Sequence, residues 1–216
     1  MDSFSGKLAV VTGGGSGMGR ELVRQLAAQG CSVGACDVNA DAVAETATLA
    51  RAGALPGVLV TSHACDVSDE AQVLRFRDEV LAGQRREHVD LVFSNAGIGG
   101  GGSFVNDSRE AWEHTFAVDW WGVYYCARVF LPLLIASGDG VLVNTSSVNG
   151  FWATLGPGTR ASTGSCARSR KTPTTTLCWP AWRHRTRAAR RASGPVAGRR
   201  RLAANPGAEA GGRLIP

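Results

Sequence analysis

Between residues 12 and 19 the chain reads TGGGSGMG: Thr12, Gly13, Gly14, Gly15, Ser16, Gly17, Met18 and Gly19. Glycines this dense let backbone approach a ligand without side-chain clash. Bare N–H groups at a helix start also attract an anion, so the chemistry on offer is the cradling of a pyrophosphate. A glycine cluster alone is weak, and its context decides. An apolar run, Lys7–Thr12, precedes it, a helical pattern opens at Gly17, and Asp37 follows 18 residues after Gly19, at the end of a second apolar run. In that arrangement the glycines meet a dinucleotide's pyrophosphate and the acid meets its adenosine ribose. Asp37 would accept hydrogen bonds from ribose hydroxyls and repel a 2′-phosphate. The surrounding stretch CDVNADA holds no Arg or Lys to reverse that preference, so the expected cofactor is NAD rather than NADP. Asp37 also has a plainer reading, as a polar residue that ends a strand.

Positioning these groups takes alternating elements. KLAVVT is a short apolar run stopped by glycines, the mark of a buried strand, and GMGRELVRQLAAQG has apolar residues at helical spacing and stops at Gly30. SVGACD is a second strand, ADAVAETATLARAG a second helix, GVLVTSHACDV a third strand and DEAQVLRFRDEVLAG a third helix with acids in its first turn. VDLVFSNAG reads as a fourth strand, IGGGGSFVNDS as a mobile loop, REAWEHTFAVDWWGVYYCARVFLPLLIAS as one long apolar helix, and GVLVNTSS as a fifth strand. Strand and helix alternate throughout. The expected fold class is α/β, a Rossmann-like doubly wound parallel sheet truncated after about the fifth strand and followed by a mostly disordered basic tail.

TGGGSGMG, CDV (Cys65–Val67), NAG (Asn95–Gly97) and NTSSVNG (Asn144–Gly150) stand in an order that resembles the short-chain dehydrogenase/reductase family in its classical form, over about residues 5–156. The resemblance implies hydride transfer between a nicotinamide and a secondary alcohol or ketone. It implies cofactor contacts from Gly13, Ser16, Gly17, Met18 and Gly19, adenine contacts from Asp66 and Val67, and support of cofactor and sheet by Asn95, Ala96 and Gly97. Ser147 would steady the substrate carbonyl or hydroxyl. Asp119, in VDWWGV, stands where the family usually has an asparagine that relays protons through water. Plainer readings remain beside these. Asp66 with Ser68 and Asp69 reads equally as a helix-capping region, NAG as a turn, and Ser147 as a strand-end hydroxyl.

The family's proton donor is a tyrosine whose pKa is lowered by a lysine four residues later. The spacing from Ser147 places that pair at Thr159 or Arg160 and at Thr163 or Gly164. The tyrosines are Tyr124 and Tyr125, the lysines Lys7 and Lys171, so the chain holds no Tyr-x-x-x-Lys. Arg160 is a poor substitute, because a guanidinium keeps its proton. From Thr159 onward there is no Phe, Tyr, Met or Asp, and Arg, Ala, Gly, Pro, Ser and Thr dominate. Such a composition buries too little apolar surface to offset ordering entropy. The expected division is a dinucleotide-binding domain over 1–156 and a low-complexity tail over 157–216.

Three functions follow. The first is the front of an NAD-dependent dehydrogenase whose tail comes from a shifted reading frame, since Arg, Ala, Gly and Pro have GC-rich codons. The second is a catalytically inert dinucleotide-binding protein. The third adds nucleic-acid binding by the tail, where RHRTRAARR supplies charge and Trp179 and Trp182 supply stacking surfaces.

Bulk composition narrows these little. The net charge of +5 averages two unlike segments: residues 1–156 carry 17 acids against 10 basic residues, and residues 157–216 carry 1 against 13. The six cysteines form no C-x-x-C pair and no zinc spacing, so reduced thiols and no metal are expected. No signal peptide and no membrane span is predicted, and the expected location is cytoplasmic. If the chain is active, its expected partner is a small-molecule alcohol or ketone. The family's usual homo-oligomer is not expected without the next helix. An apolar face carrying Trp120, Trp121, Tyr124, Val129 and Leu131 should then be exposed and limit solubility.

Overall fold

A computed structural model describes residues 3–99 and 107–147. The expectations for the glycine loop at 100–106, for Thr159 to Gly164, and for the basic tail lie outside these residues. The described chain runs β1 (Leu8–Thr12), α1 (Gly17–Ala28), β2 (Ser32–Asp37), α2 (Ala40–Ala52), β3 (Val60–Ala64), α3 (Glu70–Gln84), β4 (Leu91–Ser94), α4 (Arg109–Phe116), a π-helical turn (Ala117–Trp121), α5 (Gly122–Ala136) and β5 (Val141–Asn144). All five strands are parallel, in the order β3-β2-β1-β4-β5. This is the Rossmann-like arrangement the sequence predicts.

Period-two alternation along β1 builds a core on each face of the sheet. Leu8 and Val10 face Val73, Phe76 and Val80 of α3 and Val129, Phe130 and Leu134 of α5. Ala9 and Val11 face Val23 and Leu26 of α1 and Val43 and Ala47 of α2. β1 is buried throughout because it has helices on both sides, which is why its sequence is an unbroken apolar run. Each fully buried Val, Leu or Phe stabilises the fold by about 1.5–3 kcal/mol.

Two predictions needed revision. The long helix expected over Arg109–Ser137 is interrupted by the π-helical turn at Ala117–Trp121, and hydropathy alone carries no signal for a backbone bulge. The exposed face on α5 is narrower than expected. Trp120, Trp121 and Tyr124 are exposed, but Val129 is buried in the core, because α5 turns that side toward the sheet, and Leu131 is half-buried. No helix among the described residues is long and apolar enough to cross a membrane.

Candidate dinucleotide site

The TGGGSGMG turn joins the carboxyl end of β1 to the start of α1, and its glycines are required at named places. Gly13 has φ +66°, and a Cβ there would lie 2.7 Å from the Ala96 Cα. A Cβ on Gly19 would collide with the Gly13 carbonyl oxygen and stand 2.6 Å from the Asn95 Nδ2. Gly17 has φ +51° and open space in front of it. The turn is thus pressed against the sheet on one side and free on the other.

The helix behind it is left open as well. Asn39, Asp69 and Ser108 cap α2, α3 and α4 through side-chain bonds to the N–H groups of Ala42, Ala71 and Ala111. Each of those helices also carries an acid in its first turn. At α1 the cap residue Ser16 makes no such bond and the first turn has no acid. The N–H groups at this end, with the positive end of the helix dipole, suit an anion with no competitor built in. Met18, Val38 and Ile98 are exposed apolar side chains on the segments following β1, β2 and β4.

Asp37 ends β2 and is half-buried. Its Oδ2 accepts from the Gly15 N–H at 2.9 Å and its Oδ1 from the Asn39 N–H at 3.0 Å, so the carboxylate is fixed against the glycine turn. The Gly14 N–H donates to the Cys36 carbonyl at 2.9 Å. One participant had no local signal in the sequence. Arg20 donates from Nε (3.1 Å) and Nη2 (2.7 Å) to the Gly15 carbonyl, and from Nε to Thr46 Oγ1 at 3.0 Å. Its Nη2 also meets Glu45 Oε2 at 2.6 Å. Both peptide groups flanking the Gly15 Cα are held, one by Asp37 on the Gly15 N–H and the other by Arg20 on the Gly15 carbonyl.

Asn95 carries the central knot. Its Nδ2 donates to the Thr12 carbonyl at 3.1 Å, and its Oδ1 accepts from Thr145 Oγ1 at 3.3 Å. Thr12 Oγ1 accepts from the N–H groups of Asn95 and Ala96, both at 3.0 Å. One amide and one hydroxyl therefore bind together the carboxyl ends of β1, β4 and β5, where ligands of open parallel sheets bind. The hydroxyl of Thr12, a strand-end residue, was the part the sequence left unassigned.

Asp119 sits in the π-helical turn. Its Oδ1 accepts from the Ile98 N–H at 2.9 Å, and a Cβ on Gly97 would come within 3.3 Å of the same oxygen. The acid thus pins the loop after β4. Burial pushes its carboxyl above the ordinary carboxylate range, against the lowering effect of the Ile98 N–H. Asp66 Oδ1 accepts from the N–H and hydroxyl of Ser68 at 2.9 and 2.7 Å, a local turn ahead of the Asp69 cap. Val67 is buried and packs on Gly122, tying the turn after β3 to α5. Ser147 lies half-buried just beyond β5, three residues from Asn144. Ser94 Oγ and Asn144 Oδ1 are buried register neighbours on β4 and β5 that have no hydrogen-bond partner among the described residues. No group of three or more His, Cys, Asp or Glu side chains among the described residues converges as metal ligands.

The glycine turn, the open start of α1 and the fixed Asp37 fit a dinucleotide along the carboxyl edge of the sheet. Comparison with known proteins agrees. The family model described as short chain dehydrogenase matches residues 7–158. A Mycobacterium tuberculosis protein named as the oxidoreductase SadH is 40% identical over 156 residues, which are 72% of this chain and 55% of that protein. The meso-2,3-butanediol dehydrogenase of Serratia marcescens is 33% identical over 148 residues, 68% of this chain and 56% of the enzyme. The chain therefore spans about half the length of the curated relatives it matches. Among solved structures, a short chain dehydrogenase/reductase from Burkholderia phymatum in complex with NAD superposes with a TM-score of 0.74 at 32% identity, covering 82% of this chain and 66% of that one. The parallel sheet, the family model over residues 7–158 and the relatives agree, and the chain belongs to the short chain dehydrogenase family.

Proposed function

We propose that this chain is a dinucleotide-binding member of the family that takes NAD in preference to NADP and lacks the family's proton transfer. The glycines and the α1 N-terminus would hold the pyrophosphate. Asp37 would take the adenosine ribose, with Asp66 and Val67 beside the adenine. Asn95, Ala96 and Gly97 would support the nicotinamide end. A bound nicotinamide supplies or accepts a hydride. The chain's own part would be to orient a secondary alcohol or ketone, through Ser147, against it. Asp119 acts here as a positioning residue, holding the Ile98 backbone.

The single observation that carries this reading is the joint placement of an uncapped, acid-free α1 start and a fixed Asp37 across the same glycine turn. The reason to separate binding from turnover is the absence of any Tyr-x-x-x-Lys in the 216 residues. A phenol of lowered pKa is the group suited to moving the alcohol proton at neutral pH, and the sequence offers none at the family's spacing. Titration of the full chain with NAD and NADP, followed by tryptophan fluorescence, should show saturable quenching that favours NAD. A screen of secondary alcohols with NAD should then show no turnover above background.

The abrupt shift of composition after about residue 156 favours a second reading, in which the described residues are the front of an active dehydrogenase and the remainder is read in a shifted frame. Translation of the other two frames beyond that codon should then reveal a Tyr-x-x-x-Lys, and its absence from both would remove this reading. The cytoplasm is the compartment proposed for either form.

A further inference from the structure

We infer that the Arg20–Glu45 ion pair is a second selector between NAD and NADP, acting beside Asp37. The inference rests on the dinucleotide reading above and deepens it at the ribose corner.

Asp37 is the acid that a sequence pattern finds, and the sequence around it holds no cation. Folding supplies one from elsewhere. Arg20, on the first turn of α1, brings its guanidinium to the Gly15 carbonyl, and the N–H of the same Gly15 is bonded to Asp37 Oδ2 at 2.9 Å. A positive charge therefore sits across the Gly15 residue from the carboxylate proposed to take the ribose. Left unopposed, a guanidinium there is the group suited to a 2′-phosphate, because its planar fork binds phosphate oxygens in pairs.

It is not left unopposed. Glu45, on α2, approaches Nη2 at 2.6 Å, while Thr46 and the Gly15 carbonyl occupy Nε. Three separate acceptors thus hold the guanidinium in one orientation. Asp37 and Glu45 set two carboxylates against the Arg20 guanidinium, so a dianionic 2′-phosphate meets net negative charge from these three groups, whereas the ribose hydroxyls of NAD find an acceptor in Asp37. Glu45 is largely exposed, so its worth as a stabilising salt bridge is small. Its effect on a nearby charged ligand is longer in range and is screened by salt.

Glu45→Gln separates charge from shape. The amide oxygen still accepts from Arg20, so the glycine turn keeps its support, but one negative charge is gone. In the full 216-residue chain, with dissociation constants for NAD and NADP measured by calorimetry, the variant should bind NADP about threefold more tightly and NAD unchanged, with the gain shrinking as salt is raised. Glu45→Lys should enlarge the shift, and adding Arg20→Met to Glu45→Gln should cancel it. An unchanged ratio of the two constants in Glu45→Gln, while the wild type binds NAD, overturns the inference alone. A wild-type chain that retains neither dinucleotide overturns the underlying reading and the inference with it.

Discussion

The two ends of the sheet's carboxyl edge differ in how completely they are closed. At the nucleotide end, around β1 and β2, polar groups pair within the described residues. Gly15 is bonded through both its N–H and its carbonyl, Asp37 through both oxygens, and Thr12 Oγ1 to two backbone N–H groups. At the reaction end, around β4 and β5, Ser94 Oγ and Asn144 Oδ1 are buried without partners among those residues. Trp121, in the π-helical turn, and Tyr124, on α5, stand exposed and pack edge to face on each other. Buried polar groups in native structures are almost always satisfied, so an orphaned pair marks where other groups are needed. Among the described residues, polar pairing is complete around the glycine turn and incomplete between β4 and β5.

The largest effect that would break this comparison falls on the glycine turn. Gly19→Ala drives a methyl into the Gly13 carbonyl and should destabilise the fold by about 3 kcal/mol and abolish NAD binding. Retained NAD affinity with an unchanged melting temperature would show the turn to be looser than its contacts indicate. Next comes the hydroxyl that joins β1 to β4. Thr12→Val keeps shape but removes the acceptor of the half-buried N–H groups of Asn95 and Ala96, which should cost about 1–3 kcal/mol in urea unfolding.

Asp119 gives a smaller, pH-dependent effect. Its folded-state pKa lies above its unfolded value, so its contribution is fully present below the ordinary carboxylate range and is lost as pH rises through the raised value. Asp119→Asn keeps an oxygen to accept from Ile98 but does not titrate. The variant should therefore gain melting temperature over the wild type as pH rises through that window, and parallel profiles would contradict the assignment. The smallest effect belongs to the reaction end. Ser94→Ala removes a hydroxyl that has no partner among the described residues, so stability should change by less than about 1 kcal/mol, in contrast to the loss at Thr12.

What the sequence made legible follows from how local each signal is. The glycine turn, Asp37 and the alternation of strands and helices are read from neighbours a few residues apart, and the structure places them as expected. Arg20 with Glu45 and Thr12 with Asn95 are separated by 25 and 83 residues, and only the folded sheet brings them together. Asp119 was visible as a residue type out of place, but its bond to Ile98 depends on the π-helical turn, which leaves no mark in hydropathy. Val129 was assigned to the wrong side of α5 because that helix is apolar on most of its circumference, so its sequence does not say which stripe meets the sheet.

The central claim, a cofactor cradle separated from its proton donor, is tested most directly in one cuvette. NAD is titrated into the purified full-length chain with tryptophan fluorescence as the signal, a panel of secondary alcohols is added, and reduced nicotinamide is followed by its absorbance. Saturable binding followed by no growth of absorbance above the protein-free control is the expected result. Sustained, enzyme-proportional reduction of NAD by this chain would contradict it.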